Sequence, residues 1–364
     1  MKILFLDTHS DIRGPLPKIL PVMVDSLRGL GCEVVTRPWG QEKSRESLLA
    51  RLARGTRDLM AIGKALRAAQ FDVLFINTAH DIRGFARDIP LLLMARYLGQ
   101  QKATILFHGS QAERLLDHQQ RLLRFVTAWM LRLSASVFLL SSEEERAWRQ
   151  FYPHTHYHVV RLPIVPGPRN PECGPARLTI SCDLPLLLFV GRVIKEKGVL
   201  DLVEAMPLVL SELGCRLLIA GDGAARSAAE RRVRELALNH AVTFAGYLHG
   251  AALQQAYRLA SVLVLPTYFP EGFPLVVIEA MEVGVPIITT HIRGVADWLE
   301  EPRNALFVPI RDPQVLAHRI VELLSDQSLM ASMRTANREL SKAFGPLDVA
   351  SEWHDALVEI VGFK

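Results

Sequence analysis

The sequence predicts an α/β protein with two doubly wound parallel sheets in succession. In residues 1–160, short apolar runs alternate with longer amphipathic segments, which is the pattern of consecutive βαβ units. The pattern stops in the proline-rich stretch RLPIVPGPRNPECGPARL, residues 161–178, which favours neither helix nor strand. It starts again with LPLLLFVGR and continues to ALFVPI. We therefore expect two Rossmann-like domains whose strands end at a common cleft.

Each predicted strand is followed by a segment with helical periodicity. The strands of the first domain are KILFLD, CEVVTR, FDVLFIN, ATILFHG and SVFLLS, and helices are expected at 17–30 and 89–98 among others. The strands of the second are LPLLLFVGR, CRLLIAGDG, AVTFAGY, SVLVLPT, VPIITT and ALFVPI, with a helix at 199–213 and helical sequence from residue 313. The predicted boundaries are 1–165 for the first domain, 166–178 for the linker and 179–345 for the second domain. A C-terminal helix over 346–364 could pack back on the first domain.

The composition is typical of a globular protein. The chain has 364 residues, of which 49% are hydrophobic and 22% charged, enough for two domains with substantial cores. The apolar start is too short for a secretory signal, and no apolar run reaches the length of a membrane span. Four scattered cysteines, Cys32, Cys173, Cys182 and Cys215, indicate reduced thiols and a cytoplasmic protein.

The charge is distributed unevenly along the chain. Residues 1–165 hold 23 Lys or Arg against 15 Asp or Glu, whereas the remainder holds 19 against 23. The cations concentrate in 43–70 and 113–133, where leucines recur at helical spacing. Two interpretations remain open: a solvated helix face, or contact with an anionic acceptor or anionic lipid headgroups. The second predicts a peripheral protein on the inner face of the membrane.

Two loops of the second domain have the composition of anion sites. FVGRVIKEKG places Gly191 and Arg192 at a strand end and Lys197 before a helix, where cations and a helix amino terminus favour phosphate. LLIAGDGA places Gly221 and Gly223 at the next strand end. Arg226 stands at the third glycine position of the dinucleotide fingerprint, which argues against a hydride-transfer enzyme.

The stretch FPEGFPLVVIEAMEVGVPII contains two informative carboxylates, Glu271 and Glu279. Pro274 suits the first position of a helix because it has no N–H to leave unpaired. Glu279 then falls among apolar residues, where a carboxylate is costly unless it accepts strong hydrogen bonds, such as those from sugar hydroxyls. The alternative is that Glu279 and Glu282 share an exposed stripe.

The ordered motifs VGRVIKEKG, LLIAGDGA, VTFAGYL, VLVLPTYFPEGFPLVVIEAM, GVPIITT and NALFVP resemble the donor-binding half of glycosyltransferase family 4. The resemblance implies a GT-B fold, an acceptor-binding first domain and a retaining reaction of the hexosyltransferase type. It implies that Arg192 and Lys197 hold the donor diphosphate, Glu271 the donor sugar and Glu279 the ribose. The chain from Gly272 through Phe273 and Pro274 to Leu275 would bring amides toward the phosphates, although Pro274 cannot donate.

The first domain has fewer matching residues. His108 ends the strand ATILFHG, where the resemblance places a histidine over the donor sugar; a hydrogen-bonded structural histidine is the alternative. His80 ends another strand and is a weaker candidate for lining the cleft. Further acceptor-side candidates come from the loop THSDIRGPLPK: Arg13, Gly14 and Lys18.

A departing nucleoside diphosphate must be stabilised by positive charge. The sequence contains no Asp-x-Asp pair, so we expect neither a metal ion nor another cofactor, and assign the charge to Arg192, Lys197 and helix amino termini. The expected partners are a nucleotide-sugar donor and a glycan, lipid-linked or small-molecule acceptor, without nucleic acid. The alternatives are an epimerase or phosphorylase of the same fold, or a catalytically silent nucleotide-sugar-binding protein.

Overall fold

A computed structural model describes residues 1–7, 16–40, 47–100, 102–108, 110, 112–165 and 183–362. The chain divides into two compact units. Unit 1 comprises Met1–Val165, Pro270–Phe273 and Phe344–Lys364, and unit 2 comprises Pro166–Phe269 and Pro274–Ala343. Unit 2 therefore differs from the predicted second domain, because the turn 270–273 clusters with the first sheet.

The strands of the two sheets follow one another along the chain. They are β1 (Lys2–Asp7), β2 (Glu33–Pro38), β3 (Val73–Thr78), β4 (Ala103–Phe107), β5 (Ser136–Leu139), β6 (His156–Val159), β7 (Leu186–Val190), β8 (Arg216–Ala220), β9 (Val242–Gly246), β10 (Val262–Leu265), β11 (Ile287–Thr290) and β12 (Ala305–Val308). The helices are α1 (Leu16–Gly29), α2 (Leu48–Ala68), α3 (Ile82–Tyr97), α4 (Ala112–Leu116), α5 (Arg121–Leu133), α6 (Ser142–Phe151), α7 (Val199–Glu212), α8 (Arg226–Glu235), α9 (Gly250–Leu259), α10 (Leu275–Val283), α11 (Arg293–Trp298), α12 (Pro313–Ser325), α13 (Gln327–Lys342) and α14 (Pro346–Gly362).

The sheet of unit 1 has the order β2-β1-β3-β4-β5-β6, with every pairing parallel. The inner strands β1, β3, β4 and β5 are buried along nearly all of their length, and because successive residues point to opposite faces they are covered on both. On one face Phe5 stacks on Phe75 at 4.9 Å, and Phe75 stacks on Trp353 of α14 at 5.2 Å. The indole of Trp353 also donates to the backbone oxygen of Arg161 at 2.9 Å. The C-terminal helix thus completes the core of unit 1.

The sheet of unit 2 has the order β12-β11-β10-β7-β8-β9, again with parallel pairings. The chain runs outward from β7 to β9 and then returns to the other side of β7 to form β10. The carboxyl ends of β7 and β10 are therefore the topological switch point, where open α/β sheets bind their ligands. The fold class predicted from the sequence is confirmed.

Some helix bounds differ from the predictions for identifiable reasons. Helix α3 begins at Ile82, seven residues before the predicted start, because the side chain of Asp81 accepts a hydrogen bond from Gly84 N at 2.7 Å. This N-cap satisfies one of the unpaired N–H groups of the first turn. The helical sequence from residue 313 forms three helices, α12 to α14, of which α14 matches the predicted C-terminal helix over 346–364. The predicted linker, 166–178, lies outside the described residues.

Candidate functional site

The loop after β7 gathers two cations at the switch point of unit 2. Arg192 is exposed, whereas Lys197 is only 5% exposed. Lys195–Lys197 form a short 3₁₀ turn that ends at Gly198, which has φ 73° and precedes α7. A Cβ at Gly198 would lie 2.1 Å from the backbone oxygen of Pro266, so only glycine fits there. The turn therefore packs directly against the chain that leaves β10.

Both cations lie over one aromatic ring. The guanidinium carbon of Arg192 is 4.5 Å from the ring centroid of Phe269, and Nζ of Lys197 is 5.6 Å from it. Cation–π contact compensates part of the cost of holding Lys197 out of water. It also brings two like charges to one place. The predicted partnership of Arg192 and Lys197 is thus present in the geometry of unit 2.

The loop after β10 is fixed to the 3₁₀ turn by hydrogen bonds. Tyr268 N donates to the backbone oxygen of Glu196 at 2.8 Å, and the hydroxyl of Thr267 donates to the same oxygen at 3.3 Å. The hydroxyl of Thr267 also accepts from Phe269 N at 3.2 Å. These bonds orient the ring of Phe269 toward the two cations. Sequence reasoning missed Thr267 and Phe269, whose position after a buried strand was the available signal.

Gly221 and Gly223 allow the loop after β8 to pack against the loop after β7, which carries Arg192 and Lys197. A Cβ at Gly221 would lie 1.8 Å from Gly191 O, and a Cβ at Gly223 would lie 2.5 Å from Val193 O. Gly191 N donates to Ala220 O at 3.0 Å across the same contact. The two glycines predicted to bind the donor thus allow close packing of the loop that carries Arg192.

Helix α10 begins directly after the turn 270–273. Its N-cap is Pro274, and no side chain caps the first turn. The earliest backbone hydrogen bond there runs from Val277 N to Pro274 O at 3.0 Å. The preceding amides, including that of Leu275, lie at the positive end of the helix dipole, where they favour an anion.

The carboxylate of Glu279 is held by a buried tyrosine. The hydroxyl of Tyr257, a residue of α9 with no exposed surface, donates to Oε2 of Glu279 at 2.7 Å. Burial, and secondly the nearby Glu279, raise the pKa of Tyr257 well above its usual value, so the phenol keeps its proton. Glu282 is exposed and Glu279 is half-buried. Partial desolvation of its carboxyl group, and secondly Glu279, raise the pKa of Glu282, so the two carboxylates lie near each other.

The turn 270–273 packs within unit 1. A Cβ at Gly272 would lie 2.3 Å from Cβ of Leu140, and the ring of Phe273 lies 5.5 Å from that of Phe344. Phe273 is buried and Glu271 is half-buried. The two predicted carboxylates therefore belong to different units, Glu271 to unit 1 and Glu279 to unit 2.

A buried carboxylate that sequence reasoning missed organises the chain after β4. Oε1 of Glu144 accepts from the amide and the hydroxyl of Ser110 at 3.0 and 2.6 Å, and Oε2 accepts from the hydroxyl of Ser141 at 3.2 Å. Trp148 Nε1 donates to the hydroxyl of Ser110 at 3.0 Å. Glu144 thus positions Ser110, two residues after His108.

The hydrogen bonds of His108 define its tautomer. Asn77 donates through Nδ2 to Leu6 O at 2.8 Å, so its Oδ1 is the acceptor that faces Nε2 of His108 at 3.1 Å. Nε2 therefore carries the proton. Nδ1 is left as an acceptor, and it has no hydrogen-bond partner among the described residues. Burial lowers the pKa of His108 to about 3, so the ring is neutral and offers a lone pair.

The remaining first-domain candidates have different outcomes. His80 is 2% exposed, its Nε2 lies 3.0 Å from the hydroxyl of Thr127, and its ring packs edge-on against Phe85 and Phe107. Burial lowers its pKa to about 3. The expectation that His80 lines a cleft is therefore corrected: the ring is part of the core. Lys18 is exposed on α1, whereas Arg13 and Gly14 lie outside the described residues.

The described residues were also compared with the requirements of a metal site, a membrane span and a disulfide. No group of three or more His, Cys, Asp or Glu side chains is arranged to hold a metal ion in the part of the chain that the structure describes. None of the described helices has both the length and the hydropathy needed to cross a bilayer. Cys32 and Cys215 are buried free thiols.

Comparison with known proteins finds a family model that matches the second half of the chain. A family model described as glycosyl transferases group 1 matches residues 184–326, the range that contains β7 to β12. The match includes the loop of Arg192 and Lys197 and the helix α10 that carries Glu279. It confirms the family resemblance found in the sequence.

Two relatives illustrate the extent of the similarity. An uncharacterized glycosyltransferase of Methanocaldococcus jannaschii is 33% identical over 147 residues, 40% of this chain and 37% of the relative. The alpha-D-kanosaminyltransferase of Streptomyces kanamyceticus is 26% identical over 276 residues, 72% of this chain and 69% of the relative. The chain thus spans little more than a third of the first of these relatives.

Solved structures agree over nearly the whole chain. Anabaena HepE in complex with UDP has a TM-score of 0.75 at 15% identity, with 99% of this chain and 100% of that chain covered. Sucrose-phosphate synthase from Thermosynechococcus elongatus has a TM-score of 0.74 at 21% identity, with both chains covered completely. At these identities the likeness concerns the fold, and it confirms the GT-B architecture.

Proposed function

We propose that this chain is a member of glycosyltransferase family 4 that transfers a sugar from a nucleoside diphosphate sugar to an acceptor with retention of anomeric configuration and without a metal ion. The observation that carries the proposal is the pair of cations, Arg192 and Lys197, gathered over Phe269 at the switch point of the second sheet. A diphosphate is the anion whose charge and size suit two cations beside an uncapped helix amino terminus.

Each predicted donor residue has a chemical role in this proposal. Arg192 and Lys197 take up the negative charge that develops on the leaving diphosphate, and the amides at the start of α10 add to them. The carboxylate of Glu279, held by Tyr257, accepts hydrogen bonds from the ribose hydroxyls. Because the charge is supplied by fixed groups, no step requires a metal ion or another cofactor.

Two residues of unit 1 complete the proposed donor contacts. The unprotonated Nδ1 of His108 can accept a hydrogen bond from a hydroxyl of the donor sugar. Glu271 is the carboxylate proposed to contact the same sugar. Since Asn77 fixes the tautomer of His108, the ring would offer the donor sugar an acceptor, not a charge.

Solved structures of similar fold suggest which donors to test first. The similar HepE structures contain UDP and UDP-glucose, which supports uridine diphosphate sugars as the first donors to test. We propose a glycan, lipid-linked or small-molecule acceptor, and a cytoplasmic enzyme with peripheral contact to the inner face of the membrane. The cations on the helices of unit 1 support an anionic or membrane-borne acceptor.

The test is donor cleavage by the purified protein. Uridine, guanosine, adenosine and thymidine diphosphate sugars are incubated with the protein, and the released nucleoside diphosphate is measured with and without a chelator. We expect slow hydrolysis of one donor class, unchanged by the chelator and lost in Arg192→Ala. Arg231→Ala, at an exposed position of α8, is the matched control. Conversion of the donor sugar without release of nucleotide would indicate an epimerase, and binding without cleavage would indicate a silent protein.

A further inference from the structure

Three helices of unit 1, α2, α3 and α5, form one continuous face. They lie in the crossovers from β2 to β3, β3 to β4 and β4 to β5, which run in the same direction across the sheet. Right-handed connections place such helices on the same face. Helix α3 contacts α2 on one side and α5 on the other. We call this the α2–α3–α5 face.

The exposed charges of these three helices are of one sign, whereas α6, in the next crossover in the same direction, adds the exposed Glu143. The three helices contain eleven Lys or Arg and two Asp. Both carboxylates are buried: Asp58 is 3% exposed and pairs with Arg57 at 3.3 Å, and Asp88 is fully buried and pairs with Arg87 at 2.6 Å. Every exposed charge on these three helices is therefore a cation, and the exposed cations are Arg57, Lys64, Arg67, Arg83, Arg96, Arg121 and Arg132.

Large apolar side chains are exposed among these cations. On α5, Leu122, Phe125 and Trp129 are 66%, 70% and 42% exposed, and their spacing places them on one stripe of the helix. Phe125, Trp129, Arg132 and Tyr152 line an open depression of about 390 Å³. Exposed apolar side chains continue on the other two helices at Leu49, Leu52, Met60, Ile82, Leu93 and Tyr97. Nine large apolar side chains exposed on three neighbouring helices are typical of an interaction surface.

We propose that the α2–α3–α5 face docks on the surface of an anionic lipid bilayer. Apolar and aromatic side chains beside arginines are the composition of a helix that lies in the interface between headgroups and acyl chains. The cations would pair with anionic headgroups, and Phe125 and Trp129 would enter the interface. A second copy of the chain fits poorly, because the same face would oppose cations with cations. The inference rests on the peripheral membrane contact proposed above and names the surface that makes it, but it does not depend on the donor site in unit 2.

Helix α14, on the opposite side of the same sheet, provides a control surface for the α2–α3–α5 face. Helix α14 packs there through Trp353 on Phe75. It also exposes apolar residues, Leu347 at 62% and Val358 at 47%, but it contains four carboxylates and no Lys or Arg. Substitution of Leu347 thus controls for the loss of an exposed leucine where no lipid contact is expected.

Sedimentation with lipid vesicles tests the proposal. We expect the full-length protein to sediment with vesicles that contain phosphatidylglycerol, to remain in solution with pure phosphatidylcholine, and to be released by salt. Arg121→Glu with Arg132→Glu weakens partitioning by on the order of fivefold or more per arginine. Leu122→Gln and Phe125→Gln weaken it as well, whereas Leu347→Gln does not. All variants retain donor binding and the thermal melting of the parent protein, because the substituted side chains are exposed.

Tryptophan fluorescence locates the contact. Of the five tryptophans, Trp129 is the one that is exposed. Lipids with brominated acyl chains therefore quench the fluorescence of the parent protein, and Trp129→Phe removes the quenching while sedimentation persists. Equal recovery on neutral and anionic vesicles, or quenching that persists in Trp129→Phe, would overturn the proposal. So would self-association through this face, detected by light scattering and abolished in Phe125→Gln.

Discussion

The hydroxyl of Tyr257 donates a 2.7 Å hydrogen bond to the carboxylate of Glu279 and joins two helices of the second unit. Tyr257 lies on α9 and Glu279 on α10. The phenol is buried and remains protonated, so it acts as a fixed donor to one oxygen of a half-buried carboxylate. In the proposed function this bond fixes the group that accepts from the ribose.

Removal of the Tyr257 hydroxyl should therefore weaken donor binding more than turnover. We expect Tyr257→Phe to raise the donor KM by about tenfold and to change kcat little, because one hydrogen bond to a charged group contributes roughly 1.5 kcal/mol. Tyr247→Phe, at an exposed tyrosine of the same unit, should change neither constant. A fall in stability with an unaltered KM would mean that the bond is only structural.

The two cations should act mainly on the chemical step. Arg192→Ala and Lys197→Met each remove one fixed charge from the leaving diphosphate and should lower kcat by roughly a hundredfold. Methionine keeps most of the volume of the buried Lys197 stem, so folding is preserved. Arg231→Ala serves again as control. Steady-state kinetics with a cleaved donor provides the measurement, and a variant with parental kcat would remove that residue from the mechanism.

The neutral state of His108 predicts how its variants behave. Because Nδ1 accepts and Nε2 donates to Asn77, the ring holds a lone pair at neutral pH. We expect His108→Ala to lower kcat with the preferred donor, and Asn77→Ala to do so less, by releasing the ring. The activity of the parent protein between pH 6 and 8 should show no ionisation of His108. A kinetic pKa near neutral pH that disappears in His108→Ala would contradict the neutral state of this ring.

The buried His80 makes unfolding depend on pH. Its pKa is lowered to about 3 in the folded protein, from an ordinary value of 6.5. Between these pH values the unfolded chain takes up a proton that the native state does not bind. Stability is therefore fully present above pH 6.5 and falls toward pH 3, by about 1.4 kcal/mol per pH unit for this group.

Denaturant unfolding at several pH values measures this effect. His80→Gln should reduce the slope of unfolding free energy against pH by about 1.4 kcal/mol per unit, whatever its effect on stability at pH 7. An identical slope in His80→Gln and the parent protein would contradict the assigned environment.

Local sequence predicted the strands and the cationic loop well. Parallel strands buried on both faces are continuous apolar runs, and a loop with Gly191, Arg192 and Lys197 before a helix has the local composition of an anion site. The family match of residues 184–326 bears out the resemblance carried by the same motifs. The fold and the family could thus be derived from segments of about ten residues each.

The features that the sequence did not reveal depend on contacts between distant segments. Tyr257 meets Glu279 across 22 positions, and Glu144 meets Ser110 across 34. The turn 270–273 joins the first unit because Gly272 admits the close approach of Leu140. The burial of His80 depends on the helices that cover β3. None of these partners is indicated by local spacing or composition.

Comparison of nucleoside and nucleoside diphosphate binding tests the central claim most directly. Calorimetric titration of the parent protein and of the Arg192→Ala, Lys197→Met double variant with uridine and with UDP isolates the contribution of the phosphates. The account predicts that the parent protein binds UDP far more tightly than uridine and that the double variant loses most of this difference. Equal losses for uridine and UDP, or an unchanged preference for UDP, would contradict a diphosphate site at Arg192 and Lys197.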